Sequence, residues 1–144
     1  MRIRKGVAGI IFKPDGPLFL VLKRAINWEG WEFVKGSIGN NEIKETAVRR
    51  EILEETGLEE IELIYKFPGR MEYEHKESSR NLAGFSGSSH TVFLVKYIDG
   101  EVVLSHEHSD FKWLPYEEAR ETLTFENQRM FLDSAMEFLR HKYH

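Results

Sequence analysis

Three glutamates, Glu51, Glu54 and Glu55, constrain this chain more than any other feature. They lie at i, i+3 and i+4 within Arg50-Glu51-Ile52-Leu53-Glu54-Glu55-Thr56-Gly57-Leu58. An α-helix repeats every 3.6 residues, so the three carboxylates share one face. Like charges at that spacing destabilise a helix by about a few tenths of a kcal/mol per pair. A bound divalent cation reverses the sign of that repulsion. The chain must therefore hold this helix where clustered carboxylates are useful.

The surrounding pattern predicts how it is held. The helix is expected from about Glu42 to Thr56, with Asn40-Asn41 capping its start and Gly57 in a left-handed cap at its end. Gly36 to Asn41 reads as a glycine-bearing loop leading into it. Strands are predicted over 7–12 and 18–23, joined by the Lys13-Pro14-Asp15-Gly16-Pro17 turn. Further strands are expected over 31–33, 61–67, 70–75, 90–97, 101–104 and 111–114. Lys76 to Ser89 is rich in Ser and Gly and reads as a flexible loop. Pro115 starts a short helix, and 124–141 is amphipathic with Phe131, Ala135, Phe138 and Leu139 at helical spacing. Strands with one helix between them and others at the end predict an α+β fold with a mixed sheet between helices.

The 144 residues predict a single domain over 1–144, large enough to bury a core without staples. The chain has no cysteine, which excludes disulfides and thiolate metal sites. It has no apolar run of about 18 residues, so no membrane-spanning helix is expected. These features together predict a cytoplasmic protein. The formal net charge of −4 argues against general nucleic-acid affinity. It leaves room for a small phosphorylated substrate, which needs only a few local cations.

The full motif is Gly36, five residues, Glu42, seven residues, then Arg50 to Leu58. Seven fixed residues at about 7% usage each, plus two apolar positions, match by chance on the order of once in 10⁷ chains of this length. The motif resembles the Nudix signature at every specified position. The resemblance extends over nearly the whole chain, including the Trp31 lead-in and the Glu107 to Trp113 segment. It implies a Nudix α/β/α sandwich and hydrolysis, dependent on Mg²⁺ or Mn²⁺, of a nucleoside diphosphate linked to another group. The residue chemistry agrees, because carboxylates are hard oxygen ligands suited to Mg²⁺ beside phosphates.

The resemblance also implies roles. Glu51 and Glu55 are expected as metal ligands, with Glu54 a ligand or the base that activates water. The Gly36 carbonyl is a further expected ligand. Arg50 is expected to pair with a box glutamate, in a structural or a catalytic role. Glu42 either supports by an ion pair or acts directly, and Gly57 is a cap. Glu107 is expected to bind metal or act as base. His106 and His108 beside it read as exposed loop residues and not as ligands.

The resemblance implies a small-molecule nucleotide as substrate. Trp31-Glu32-Phe33-Val34-Lys35-Gly36 resembles the W-x-F-P-K-G lead-in of the asymmetric bis(5′-nucleosyl)-tetraphosphatases, with Val34 in place of Pro. Lys35 and Arg24 are candidate phosphate contacts, and Arg70 and His75 flank Tyr73 within reach of phosphate. Tyr73, Phe85 and Phe125 are candidate clamps for a base. The leading expectation is hydrolysis of diadenosine tetraphosphate to ATP and AMP. The alternatives are a (d)NTP pyrophosphohydrolase, with ADP-ribose or capped RNA as variants, and a non-catalytic nucleotide- or protein-binding Nudix module.

Overall fold

The computed structural model describes residues 3–26, 28–74 and 87–143. Among the described residues, eight strands form one mixed sheet. They are β1 (Ile3–Lys13), β2 (Leu18–Arg24), β3 (Gly30–Glu32), β4 (Val34–Ser37), β5 (Glu60–Lys66), β6 (Met71–Glu74), β7 (Gly87–Asp99) and β8 (His108–Leu114). The helices are α1 (Lys44–Thr56), α2 (Tyr116–Thr122) and α3 (Glu126–His141). The main path runs β3-β2-β1-β7-β5, with β4 on β1, β6 on β7 and β8 on β2.

Side-chain alternation along β1 and β7 divides the interior into two cores. Ala8, Ile10 and Phe12 of β1, with Val92 and Leu94 of β7, pack toward Leu132 and Ala135 of α3. Val7 and Ile11, with Phe93 and Val95, pack toward Ala47, Val48 and Ile52 of α1. Removing a side chain such as Val48 or Ile52 from water contributes about 1.5–3 kcal/mol each. A Cβ on Gly9 would sit 3.2 Å from Ile52 Cδ1, so the helix rides directly on β1 there. The α+β sandwich predicted from the sequence is therefore the fold.

Four local expectations are corrected. Gly36 lies in strand β4, because β4 pairs antiparallel with β1 and sets Gly36 opposite Val7. Helix α1 begins at Lys44 after Ile43, without a side-chain cap from either asparagine. The chain turns earlier there, with Glu42 N–H donating to the Gly39 carbonyl at 3.2 Å. The strand expected over 101–104 is absent. That segment instead satisfies the end of α1: Val103 N–H donates to Thr56 O at 2.8 Å and Ser105 N–H to Glu55 O at 3.4 Å. Finally, Gly87 to Ser89 belong to β7, which pairs with β1 from Ile3↔Gly87 onward; 75–86, which include the rest of the predicted loop, lie outside the described residues. Gly57 does close α1 in a left-handed conformation, φ 72°, its N–H donating to Leu53 O.

Candidate active site

The register of β4 on β1 brings Gly36 beneath α1. A Cβ at Gly36 would lie 2.0 Å from Glu51 Cδ and 2.1 Å from its Oε2. Only glycine admits a carboxylate this close to backbone. We expect Gly36→Ala to displace Glu51 and lower divalent-metal affinity by about 10–100-fold, measured by calorimetric titration with Mn²⁺. Wild-type affinity in that variant would remove Gly36 from the site.

Arg50 organises the carboxylates. Its Nε and Nη2 donate to the two oxygens of Glu42 at 2.8 and 3.0 Å, a bidentate pair. Nη2 also donates to Ser37 O at 2.8 Å, and Nη1 to Glu51 Oε1 at 2.8 Å and Glu54 Oε1 at 3.1 Å. Glu42 in turn accepts the Gly39 N–H at 2.8 Å. The Arg50 hydrogen bonds hold the Glu42 carboxyl down to about 2, and the same partners raise the guanidinium further.

The three box glutamates sit in different surroundings. The side chain of Glu54 is 55% exposed, Glu51 13% and Glu55 5%. Burial, then the Glu51 carboxylate, push Glu55 up to about 10, with Glu32 and Glu107 adding to the effect. Its Oε1 is buried without a hydrogen-bond partner. Glu107 is half-buried in the turn before β8, where its carbonyl accepts the Ala25 N–H at 2.9 Å.

His108 is corrected from an exposed loop residue to a fully buried one at the start of β8. Its Nδ1 is 3.7 Å from Glu55 Oε1 and its Nε2 is 2.8 Å from Glu32 Oε2. Glu32 is also fully buried and ion-pairs with Arg24 at 3.3 Å and Lys35 at 3.6 Å. Burial pushes Glu32 up, but the His108 hydrogen bond and the Lys35 and Arg24 charges outweigh it and hold the carboxyl below its ordinary value. Neither residue stood out in the sequence. The available signal was a glutamate at an apolar-flanked strand position, between Trp31 and Phe33.

The candidate base clamp lies beyond Lys35. Lys35 Nζ is 5.3 Å from the Tyr73 ring centroid. Tyr73 meets Phe125 edge-on at 5.7 Å, and Phe125 meets Trp28 edge-on at 5.0 Å. These rings are fixed from behind. Gln128 Nε2 donates to Tyr73 OH at 2.7 Å, while its Oε1 accepts the Phe33 N–H at 2.8 Å. Trp31 N–H donates to Thr124 Oγ1 at 2.8 Å, which pins the start of α3 next to Phe125. A Cβ on Gly30 would lie 2.5 Å from Trp28 Cζ3, so glycine leaves the space the indole fills. Arg70 is engaged with Ser89, its Nε donating to Oγ at 2.6 Å. Phe85 and His75 lie outside the described residues. The structure thus gathers Gly36, Glu42, Arg50, Glu51, Glu54 and Glu55 in one cluster and Lys35, Tyr73 and Phe125 in another, with Arg24 and Glu32 between Lys35 and Trp28.

The donor set fits a divalent cation chemically. Glu51, Glu54 and Glu55 offer hard oxygens, the Gly36 cradle opens under one of them, and Glu55 Oε1 is an unpartnered buried acceptor. Among the described residues no three carboxylate or imidazole groups are yet drawn round one point. Arg50 holds one oxygen each of Glu51 and Glu54.

The glutamate helix α1 lies over Gly36 of β4 within this sandwich, and the same arrangement of motif and fold places the chain in a family. The NUDIX domain family matches residues 2–134, and the chain belongs to the Nudix hydrolases, which use divalent metal ions. The RNA pyrophosphohydrolase of a Nitratiruptor species is 30% identical over 132 residues, covering 86% of this chain and 85% of that protein. Among solved structures, a C. elegans Ap4A hydrolase binary complex superposes with TM-score 0.80 at 23% identity, over 96% of this chain and 98% of that one. The E. coli dihydroneopterin triphosphate pyrophosphohydrolase gives TM-score 0.78 at 21% identity, over 93% and 97%. Both structures share the fold. No helix among the described residues is long and apolar enough to cross a membrane.

Proposed function

We propose that this Nudix hydrolase cleaves diadenosine tetraphosphate to ATP and AMP, with Mg²⁺ or Mn²⁺ as its metal. The observation that carries the reading is the adjacency within β4. Lys35 stands beside the Tyr73–Phe125 rings and Gly36 beneath Glu51, so a nucleotide seated on the rings extends its phosphates toward the carboxylates. Glu51, Glu55 and the Gly36 carbonyl would hold the metal, which when bound would neutralise the phosphates and acidify water. Glu54 or Glu107 takes the proton from the attacking water. Lys35 and Arg24 bind phosphate, and Tyr73 and Phe125 face the base. Arg50 and Glu42 keep the carboxylates in place.

A second reading, pyrophosphate removal from an RNA 5′ end, is favoured by the name of the Nitratiruptor relative. The net charge of −4 supports little contact beyond that end. A panel of diadenosine tetraphosphate, dNTPs and a 5′-triphosphorylated RNA oligomer, with products resolved by chromatography, separates these. We expect ATP and AMP from the first to form fastest. Rapid pyrophosphate release from RNA or a dNTP, with the dinucleotide untouched, would overturn the assignment.

A further inference from the structure

Six residues close a circuit of contacts at the substrate side of the site. Glu32 pairs with Arg24 at 3.3 Å, and the Arg24 guanidinium lies 6.0 Å from the Trp28 ring centroid. Trp28 meets Phe125, Phe125 meets Tyr73, and Tyr73 carries Lys35 over its ring. Lys35 returns to Glu32 at 3.6 Å. The circuit has one anion, two cations and three aromatic rings. Its only fully buried member is the anion.

We infer that Glu32 is a positioning residue for substrate, a buried carboxylate that fixes Arg24 and Lys35 at the two ends of the aromatic arc; this rests on the proposed role of these cations in phosphate binding. A fully buried carboxylate is costly unless it is paired, so its presence needs a reason. Glu32 is held from below by His108 Nε2 at 2.8 Å, on a strand that flanks β2 opposite β3. Arg24 is restrained a second time, its Nε donating to Ile26 O at 3.0 Å. Lys35 has no hydrogen bond to the free Glu32 Oε1, only the ion pair, so its ammonium retains donors for a ligand. Two cations against one carboxylate leave a positive surplus for phosphate. Long basic side chains lose rotamer freedom on binding, and holding them beforehand lowers that cost.

This predicts coupling between Glu32 and the cations it holds. Glu32→Gln keeps the shape and the His108 contact but removes the charge. We expect it to raise KM for diadenosine tetraphosphate, and Kd for ATP by calorimetry, about tenfold with kcat nearly unchanged. In a Lys35→Met, Arg24→Met background the same change should cost less than about twofold. An equal cost in both backgrounds, or a fall in kcat alone, would overturn the inference. Should Glu32→Gln fail to fold, Glu32→Asp keeps the charge but withdraws it by one methylene. The same loss of binding and the same coupling are then expected, and additive behaviour again refutes. If the Lys35→Met, Arg24→Met protein itself binds both nucleotides normally, the phosphate role of the cations has failed instead.

Discussion

Glu54→Gln lowers kcat by about 10²–10⁴-fold, the usual contribution of a positioned general base, and leaves the fold intact. Glutamine keeps the size and polarity of the side chain but removes its charge and its capacity to take a proton. More than half of the Glu54 side chain is in water, and among the described residues its partner is Arg50 Nη1 at 3.1 Å. An exposed pair of this kind contributes about 0–1 kcal/mol, so the melting temperature should barely move. Steady-state kinetics beside a thermal melt checks both halves. Near-normal turnover would move the base to Glu107, and Glu107→Gln would then carry the loss.

Metal-free protein should lose stability steadily as pH rises, and Glu55→Gln should abolish most of that dependence. Burial and Glu51 raise Glu55 from an ordinary value of 4.5 to about 10 in the folded chain. For a folded pKa above the unfolded one, the native state holds the proton more tightly. The stabilisation is complete below about pH 4.5 and is lost as pH rises through about 10. Between those limits one such group contributes at most about 1.4 kcal/mol per pH unit. Thermal melts at several pH values in chelator should show the slope in wild type and a flatter line in Glu55→Gln. A bound cation replaces the proton, so metal addition near neutral pH should release protons and restore stability. Parallel profiles for the two proteins would show that Glu55 is not the buried protonated group.

The box was legible because its chemistry is local. Glu51, Glu54 and Glu55 lie on one turn of one helix, and spacing alone puts them together. Gly57 was legible for the same reason, since a left-handed cap depends on the helix it ends. The β1 and β7 strands showed as apolar runs and came out longer than predicted, because a paired neighbour extends a strand past its hydrophobic centre. Glu32 and His108 are 76 positions apart, and only the pairing of β3 and β8 with β2 joins them. In the polar run Ser105 to Asp110, His108 carries no sign of burial. The asparagine cap failed because Glu42, tied to Arg50 and Gly39, shapes that turn instead. The Trp28–Phe125–Tyr73 arc is likewise a product of tertiary structure, with its members drawn from three separate segments.

The most direct test of the account is hydrolysis of diadenosine tetraphosphate in ¹⁸O water, with and without Mg²⁺, with the products analysed by mass spectrometry. Metal-dependent appearance of ATP and AMP, one of them carrying a single ¹⁸O on phosphate, is the predicted result. No cleavage of the dinucleotide at saturating Mg²⁺ or Mn²⁺, or cleavage that leaves no label on phosphorus, would contradict it.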